Sequence, residues 1–134
     1  MDANAADRLV AAFQDDFYIA PEAVAEAIVC RSLFNVIHNE TVIKVDLILL
    51  PATPFHHSAF ARRTTIDLDG HLLQLIAAED LILAKLQWAK RTESELQLRD
   101  VKNLLAHGTQ LDREYLHRWI PVLQLETLWA RMDS

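Results

Sequence analysis

Glycine is scarce in this chain of 134 residues, which contains only Gly70 and Gly108. Two glycines so far apart can build neither a GxGxxG turn nor a P-loop, so the usual glycine-rich phosphate cradles are excluded. Cysteine is scarcer still, with Cys30 alone. A single cysteine forms no internal disulfide and no multi-cysteine metal site, which favours a reducing compartment and predicts a cytoplasmic location.

Positive charge is also in deficit, because 13 Lys and Arg residues face 19 Asp and Glu residues and the net charge is −6. Proteins that coat nucleic acids need a basic surface, so this balance argues against a nucleic-acid partner. No apolar run approaches the roughly 20 residues that cross a bilayer, and no membrane partner is expected. The six histidines form no HxxxH or HExxH pair, and no serine lies in a glycine-rich nucleophile elbow.

The strongest β signal predicts an antiparallel hairpin from residues 33–38 and 42–50. A two-residue loop between these strands would place Asn35 opposite Lys44. Lys44 and Asp46 share one face of the hairpin whatever the loop, because side chains alternate with a period of two.

A second hairpin is predicted around Asp69-Gly70, which lies between two alternating runs. Asp-Gly is a strong signal for a two-residue turn, and it aligns Ile66 with Leu73.

Helical spacing of apolar residues covers most of the remaining chain. The predicted helices are 3–14, one that begins at Pro21, 55–61, 78–90, one that ends before Gly108, one that Asp112 opens, and one that Pro121 opens. The fold class that follows is α+β, with a small, mostly antiparallel or mixed sheet and packed helices in residues 1–76. A helical region, 77–134, is expected to pack on this core in one compact unit.

Asp46 is the leading candidate for chemistry, because it interrupts an otherwise apolar strand. A carboxylate in such a strand must be paired or must bind a cation. One interpretation is an ion pair with Lys44, or with an arginine, at the rim of the sheet. The other is a catalytic, metal-binding carboxylate.

Three further cations are candidate binding residues for an anionic substrate. Arg62 and Arg63 follow a short helix, and their guanidinium groups suit phosphate, although their position favours a solvated pair at the helix end. Lys85 lies on an otherwise apolar helix, from which it can extend to solvent or reach a carboxylate such as Asp46 or Asp100.

Four segments resemble, in order and spacing, nucleotidyltransferases of the polymerase-β-like superfamily near the bacterial abortive-infection and toxin–antitoxin subgroup. These segments are 34–47, 60–63, 78–86 and 94–101, and the resemblance spans about residues 7–130. It implies that Asp46 occupies the third-carboxylate position as a catalytic and metal-binding residue. It further implies Mg²⁺ and a nucleoside triphosphate, with Lys44, Arg62, Arg63 and Lys85 as substrate-binding residues.

The chain departs from that family at the Gly-Ser turn and the Asp-x-Asp strand, which nothing in the sequence matches; Asp15-Asp16 does not lie in an apolar strand. Transfer of a nucleotide needs two divalent ions held by several carboxylates, and one aspartate cannot hold them against water. We therefore expect no catalysis by this polypeptide alone.

The expected function is that of a truncated or degenerate nucleotidyltransferase-like protein that acts through self- or partner association. Without the family's first helix and strand, a sheet edge should be uncovered, and a homodimer or a protein partner is expected to cover it. Two alternatives stay open. One is an active, Mg²⁺-dependent nucleotidyltransferase completed by a partner chain or a missing N-terminal segment. The other is an unrelated α+β binding module.

Overall fold

The computed structural model describes residues 4–108 and 110–132, and this part of the chain has an α+β fold, as predicted. It contains seven helices and two antiparallel sheets, one with strand order β1-β2-β3 and the other formed by β4 and β5. The elements are α1 (Asn4–Phe13), β1 (Phe17–Tyr18), α2 (Pro21–Cys30), β2 (Leu33–His38), β3 (Lys44–Ile48), α3 (Pro54–Ala61), β4 (Thr64–Leu68), β5 (His71–Leu75), α4 (Ala78–Thr92), α5 (Glu95–His107), α6 (Arg113–Val122) and α7 (Glu126–Met132).

The chain forms two compact units, Met1–Thr53 and Pro54–Ser134, whereas the sequence suggested one unit with a division after residue 76. Helix α3 belongs to the second unit because the ring of Phe55 is buried in the core formed by the later helices. In the sequence, a short helix followed by a hairpin resembles the alternating helices and strands of the first half. The burial of Phe55 is what assigns α3 to the second unit.

The first unit packs α1 and α2 against one face of the three-stranded sheet. The buried residues of its core cluster are Ile19, Val24, Ala27, Phe34 and Val36. Leu47 of β3 packs against this core. Val45 and Ile43 precede it on the same face but are 40% and 61% exposed, so the helical layer does not cover this end of β3.

The register of the β2–β3 hairpin differs from the expected one by two residues. Asn35 pairs with Asp46, not with Lys44, and the loop holds four residues instead of two. The longer loop is stabilised by the His38 ring, whose Nδ1 lies 3.2 Å from the backbone nitrogen of Thr41 and 3.0 Å from its hydroxyl. A shift of two residues keeps every side chain on its predicted face.

The second unit is a helical core built around α4, whose Ile82, Leu83 and Leu86 have no exposed surface. The apolar residues Leu81, Ile82, Ala84, Leu86 and Trp88 lie almost all round the helix and predict deep burial, but Trp88 is 37% exposed, so only part of the helix is deeply buried. The other residues of this core include Phe55, Leu98, Val101, Leu116, Ile120, Leu125 and Trp129.

The last helix does not begin at Pro121, as the sequence suggested. Pro121 instead lies in the final turn of α6, and α7 starts at Glu126. A proline near a helix end removes only one backbone hydrogen bond, and the break falls at Gln124, whose φ is 55°.

The β4–β5 hairpin has the predicted register, with Ile66 opposite Leu73. Asp69 and Gly70 both have positive φ, 52° and 83°, as a type I′ turn requires. The Asp67 carboxylate accepts a hydrogen bond from the Gly70 N–H at 2.8 Å. Every residue of the two strands is exposed.

Candidate functional site

The residues proposed for one site lie in four different surroundings. Asp46 and Lys44 are on β3 of the first unit, while Arg62, Arg63 and Lys85 belong to the second unit. Within the second unit, Arg62 and Lys85 have different carboxylate partners.

Lys44 and Asp46 form the ion pair that the first interpretation of the strand proposed. The Lys44 Nζ lies 3.8 Å from the Asp46 Oδ1, and their side chains are 58% and 51% exposed. Both point away from the helical layer, because they alternate with Val45 and Leu47 along the strand. Exposed pairs at this distance contribute little to folding, since water screens the attraction.

The donors present do not fit a pair of magnesium ions at Asp46. Magnesium prefers several oxygen ligands in a near-octahedral arrangement, and two ions require shared carboxylates. Among residues 4–108 and 110–132, no three His, Cys, Asp or Glu side chains are grouped so that they could hold a metal ion. The charged side chain that contacts Asp46 is that of Lys44.

Arg62 lies in a polar cluster between α3, α4 and α6. Its guanidinium donates to Asp80 Oδ2 at 3.2 Å and to Glu79 Oε2 at 3.4 Å, and it stacks 3.5 Å above the Tyr115 ring. The Tyr115 hydroxyl donates to Asp80 Oδ1 at 2.6 Å. Ser58 Oγ lies 2.9 Å from that hydroxyl and donates to it, because the tyrosine proton is directed to Asp80.

The electrostatics of this cluster are set by the burial of Asp80, which has no exposed surface. Burial raises the pKa of the Asp80 carboxyl, while the Tyr115 hydrogen bond and the charge of Arg62 act in the opposite direction and do not fully offset it. Burial lowers the pKa of Arg62, but Tyr115 and Asp80 outweigh this effect and the net shift is upward. Arg62 is therefore committed to holding Asp80 and is poorly placed to bind a substrate phosphate.

This cluster is the polar feature that sequence reasoning missed. From the sequence alone, Glu79 and Asp80 are expected to be favourable charges at the positive end of a helix dipole. Glu79 instead links two helices, because its Oε1 accepts the backbone N–H of Asp112 at 2.8 Å and its Oε2 accepts from Arg62. The available signal was two adjacent acids in the first turn of a helix, followed directly by four apolar residues.

The other two candidate cations are engaged within the second unit. Lys85 Nζ donates to Asp100 Oδ2 at 3.0 Å and to Gln97 Oε1 at 3.1 Å, so among the alternatives that the sequence left open it reaches Asp100. Arg63 donates to the Phe60 carbonyl at 2.7 Å and stacks on its ring at 3.9 Å.

A shallow groove of about 440 Å³ lies elsewhere on the second unit. Its charged lining residues are Lys90, Glu93, Glu95 and Arg131. None of the residues proposed from the sequence lines this groove, and its mixed charges select no one class of ligand.

Exposed large apolar side chains are frequent in the two β regions. β3 is the outer strand of its sheet in the described part of the chain, with Val45 40% and Ile48 51% exposed. In the β4–β5 hairpin, Ile66, Leu68, Leu73 and Leu75 share one face and are 38%, 56%, 41% and 43% exposed. Exposed apolar side chains that share one face of a sheet are a feature of interaction sites.

No protein-family model, curated protein or solved structure matches this chain. In residues 4–108 and 110–132, no helix combines the length and the apolar character needed to cross a membrane.

Proposed function

We propose that this chain is a nucleotidyltransferase-like protein that does not transfer nucleotides on its own and acts by associating with a second polypeptide. The observation that carries the proposal is the outer strand β3, whose exposed edge and apolar side chains lie beside the one carboxylate that the family resemblance selects. A strand edge presents unpaired backbone donors and acceptors, and another chain can satisfy them.

The exposed apolar side chains favour association energetically. Full burial of a Val, Leu or Ile side chain contributes about 1.5–3 kcal/mol relative to full exposure. The side chains of Val45, Ile48 and the β4–β5 face are roughly half exposed, so each retains about 1 kcal/mol that a partner could recover. A few such residues offset part of the entropy lost when two chains associate.

The charges of the candidate residues support a non-catalytic role. Phosphoryl transfer needs carboxylates that hold metal ions and cations that hold phosphates. Asp46 faces Lys44, Arg62 is bound to Asp80, and Lys85 is bound to Asp100. Binding a nucleotide with these cations would require breaking internal ion pairs, one of which involves a fully buried carboxylate.

Isothermal titration calorimetry with MgCl₂ and each of ATP, CTP, GTP and UTP tests the catalytic part of the proposal. We expect no heat that depends on the metal. Metal-dependent binding that Asp46→Ala abolishes would overturn the proposal in favour of an active, Mg²⁺-dependent nucleotidyltransferase. Lys102→Glu, at an exposed position on α5, is the control for a general change of charge.

A further inference from the structure

The free edge of β3 consists of the backbone groups of Lys44, Asp46 and Ile48. The His38 N–H donates to the Ile43 carbonyl at 2.9 Å, and the Leu49 N–H donates to the Ser32 carbonyl at 3.0 Å, so residues 43 and 49 direct their backbone groups toward β2. Alternate residues of a strand direct these groups to opposite edges. Val45 and Leu47 therefore also bond toward β2, and residues 44, 46 and 48 present their N–H and C=O groups outward.

In an antiparallel pair, residues whose N–H and C=O groups point toward the neighbouring strand lie opposite each other. A strand added to this edge must therefore place such a residue of its own opposite residue 44, 46 or 48. For a second copy of β3, the two-fold axis can lie at Lys44, Val45, Asp46 or Leu47. An axis at Lys44 or at Asp46 puts that residue opposite its own copy, and like charges directly opposite each other are destabilising. An axis at Leu47 puts Asp46 opposite the partner's Ile48 and pairs no opposite charges. The axis at Val45 puts each Lys44 opposite the partner's Asp46.

We infer that β3 is a homodimerisation strand, which pairs antiparallel with β3 of a second copy about a two-fold axis at Val45 and forms two reciprocal Lys44–Asp46 pairs. This inference rests on the proposed function and names its partner and its surface. A lysine and an aspartate two residues apart, on one face of an outer strand, have the symmetry that self-pairing requires. A strand of an unrelated protein would need no such symmetry.

The apolar side of the strand fits the same register. Val45 meets the partner's Val45, and Leu47 lies opposite the partner's Ile43, because directly opposed residues point to the same side of a sheet. Val45 and Ile43 are 40% and 61% exposed on the side where the core lies. Pairing would continue the apolar layer of each copy across the axis and join two three-stranded sheets into one of six strands.

Charge reversal tests the register. Self-association is measured by sedimentation velocity at protein concentrations from about 5 to 300 µM, a range suited to an interface formed by one pair of strands. We expect the wild-type chain to dimerise within it. Lys44→Glu and Asp46→Lys should each weaken self-association at least about tenfold, which is about 1.4 kcal/mol, because each creates two like-charge pairs. An equimolar mixture of the two variants should recover the wild-type dissociation constant, because each variant then faces the opposite charge.

Lys102→Glu and Asp15→Lys are matched controls at exposed positions outside β3, and neither should alter the dissociation constant. A wild-type chain that stays monomeric overturns the inference. Association that both β3 variants leave unchanged overturns the register but leaves the proposed function standing. Recovery of association in the mixture requires that both variants are folded. Association that is lost in both variants and does not return in the mixture contradicts the inference.

Cysteine cross-linking locates the axis independently. In a Cys30→Ser background, the cysteine introduced by Val45→Cys would lie opposite the same cysteine of the second copy, in a non-hydrogen-bonded pair. The Cα atoms of such a pair are about 4.5 Å apart, which is within the range of a disulfide bond. Ile48→Cys is the matched control, at a similarly exposed position. Its sulfur would lie about 20 Å from its copy, since six residues separate the two positions along the strands. Equal cross-linking of both variants would contradict the Val45 axis.

Discussion

Replacing Arg62 by methionine tests whether the Asp80 cluster stabilises the second unit. Methionine keeps an unbranched apolar stem over Tyr115 but removes the guanidinium from a carboxylate that is fully buried. Removing one partner of a buried ion pair costs about 3–5 kcal/mol. The Tyr115 hydroxyl, 2.6 Å from Asp80 Oδ1, still donates after the change, so we expect the lower end of this range, about 3 kcal/mol near neutral pH.

The loss should depend on pH in a defined direction. Burial raises the folded-state pKa of Asp80 above its usual value of 3.8, so the folded protein holds more protons than the unfolded chain between those two pKa values. Stability therefore falls as pH rises through this window. Without Arg62 the folded pKa of Asp80 rises further, which widens the window. The deficit of Arg62→Met should be largest near neutral pH and should shrink as pH falls toward the unfolded pKa.

Urea denaturation followed by circular dichroism, at about pH 7.5 and about pH 4.5, measures both effects. Arg63→Met is the control, because Arg63 is an exposed neighbour that contacts Phe60 without a carboxylate partner among the described residues. We expect its change to stay below about 0.5 kcal/mol at either pH. A loss below about 1 kcal/mol for Arg62→Met, or one that is equal at the two pH values, would refute the argument from buried charge.

Three further changes distinguish buried from exposed contacts. Tyr115→Phe should cost about 2 kcal/mol in urea denaturation, because buried Asp80 loses a hydrogen bond to its charged form; no loss would contradict that bond. Lys85→Met should cost about 1 kcal/mol, since its pair with Asp100 is only partly buried, and a double-mutant cycle with Asp100→Asn should assign most of this to the pair. Asp46→Ala should change thermal unfolding by less than about 0.5 kcal/mol, and a larger loss would mean that the exposed pair is structural.

The parts of the fold that sequence predicted well are those that short-range chemistry determines. Asp69-Gly70 imposes a two-residue turn and hence the β4–β5 register. The β2–β3 loop contains no glycine, and its left-handed residue is Val42, with φ 58°. A β-branched residue rarely adopts this conformation, so composition could not indicate the four-residue loop.

The candidate site was only partly predictable, for a different physical reason. The alternation of β3 placed Lys44 and Asp46 on one face, and the structure pairs them. The Asp80 cluster depends on Tyr115, which is 35 residues away and reaches the carboxylate only through the packing of α6 on α4. Local spacing carries no information about such contacts, and it likewise assigned Arg62 to a solvated helix end.

The mass of the equimolar mixture of Lys44→Glu and Asp46→Lys, measured by sedimentation, tests most directly whether the chain functions by pairing its β3 edge. We expect two variants that are largely monomeric alone and a dimer of wild-type strength when they are combined. A mixture that stays as monomeric as its components, beside a wild-type chain that dimerises, would contradict this expectation.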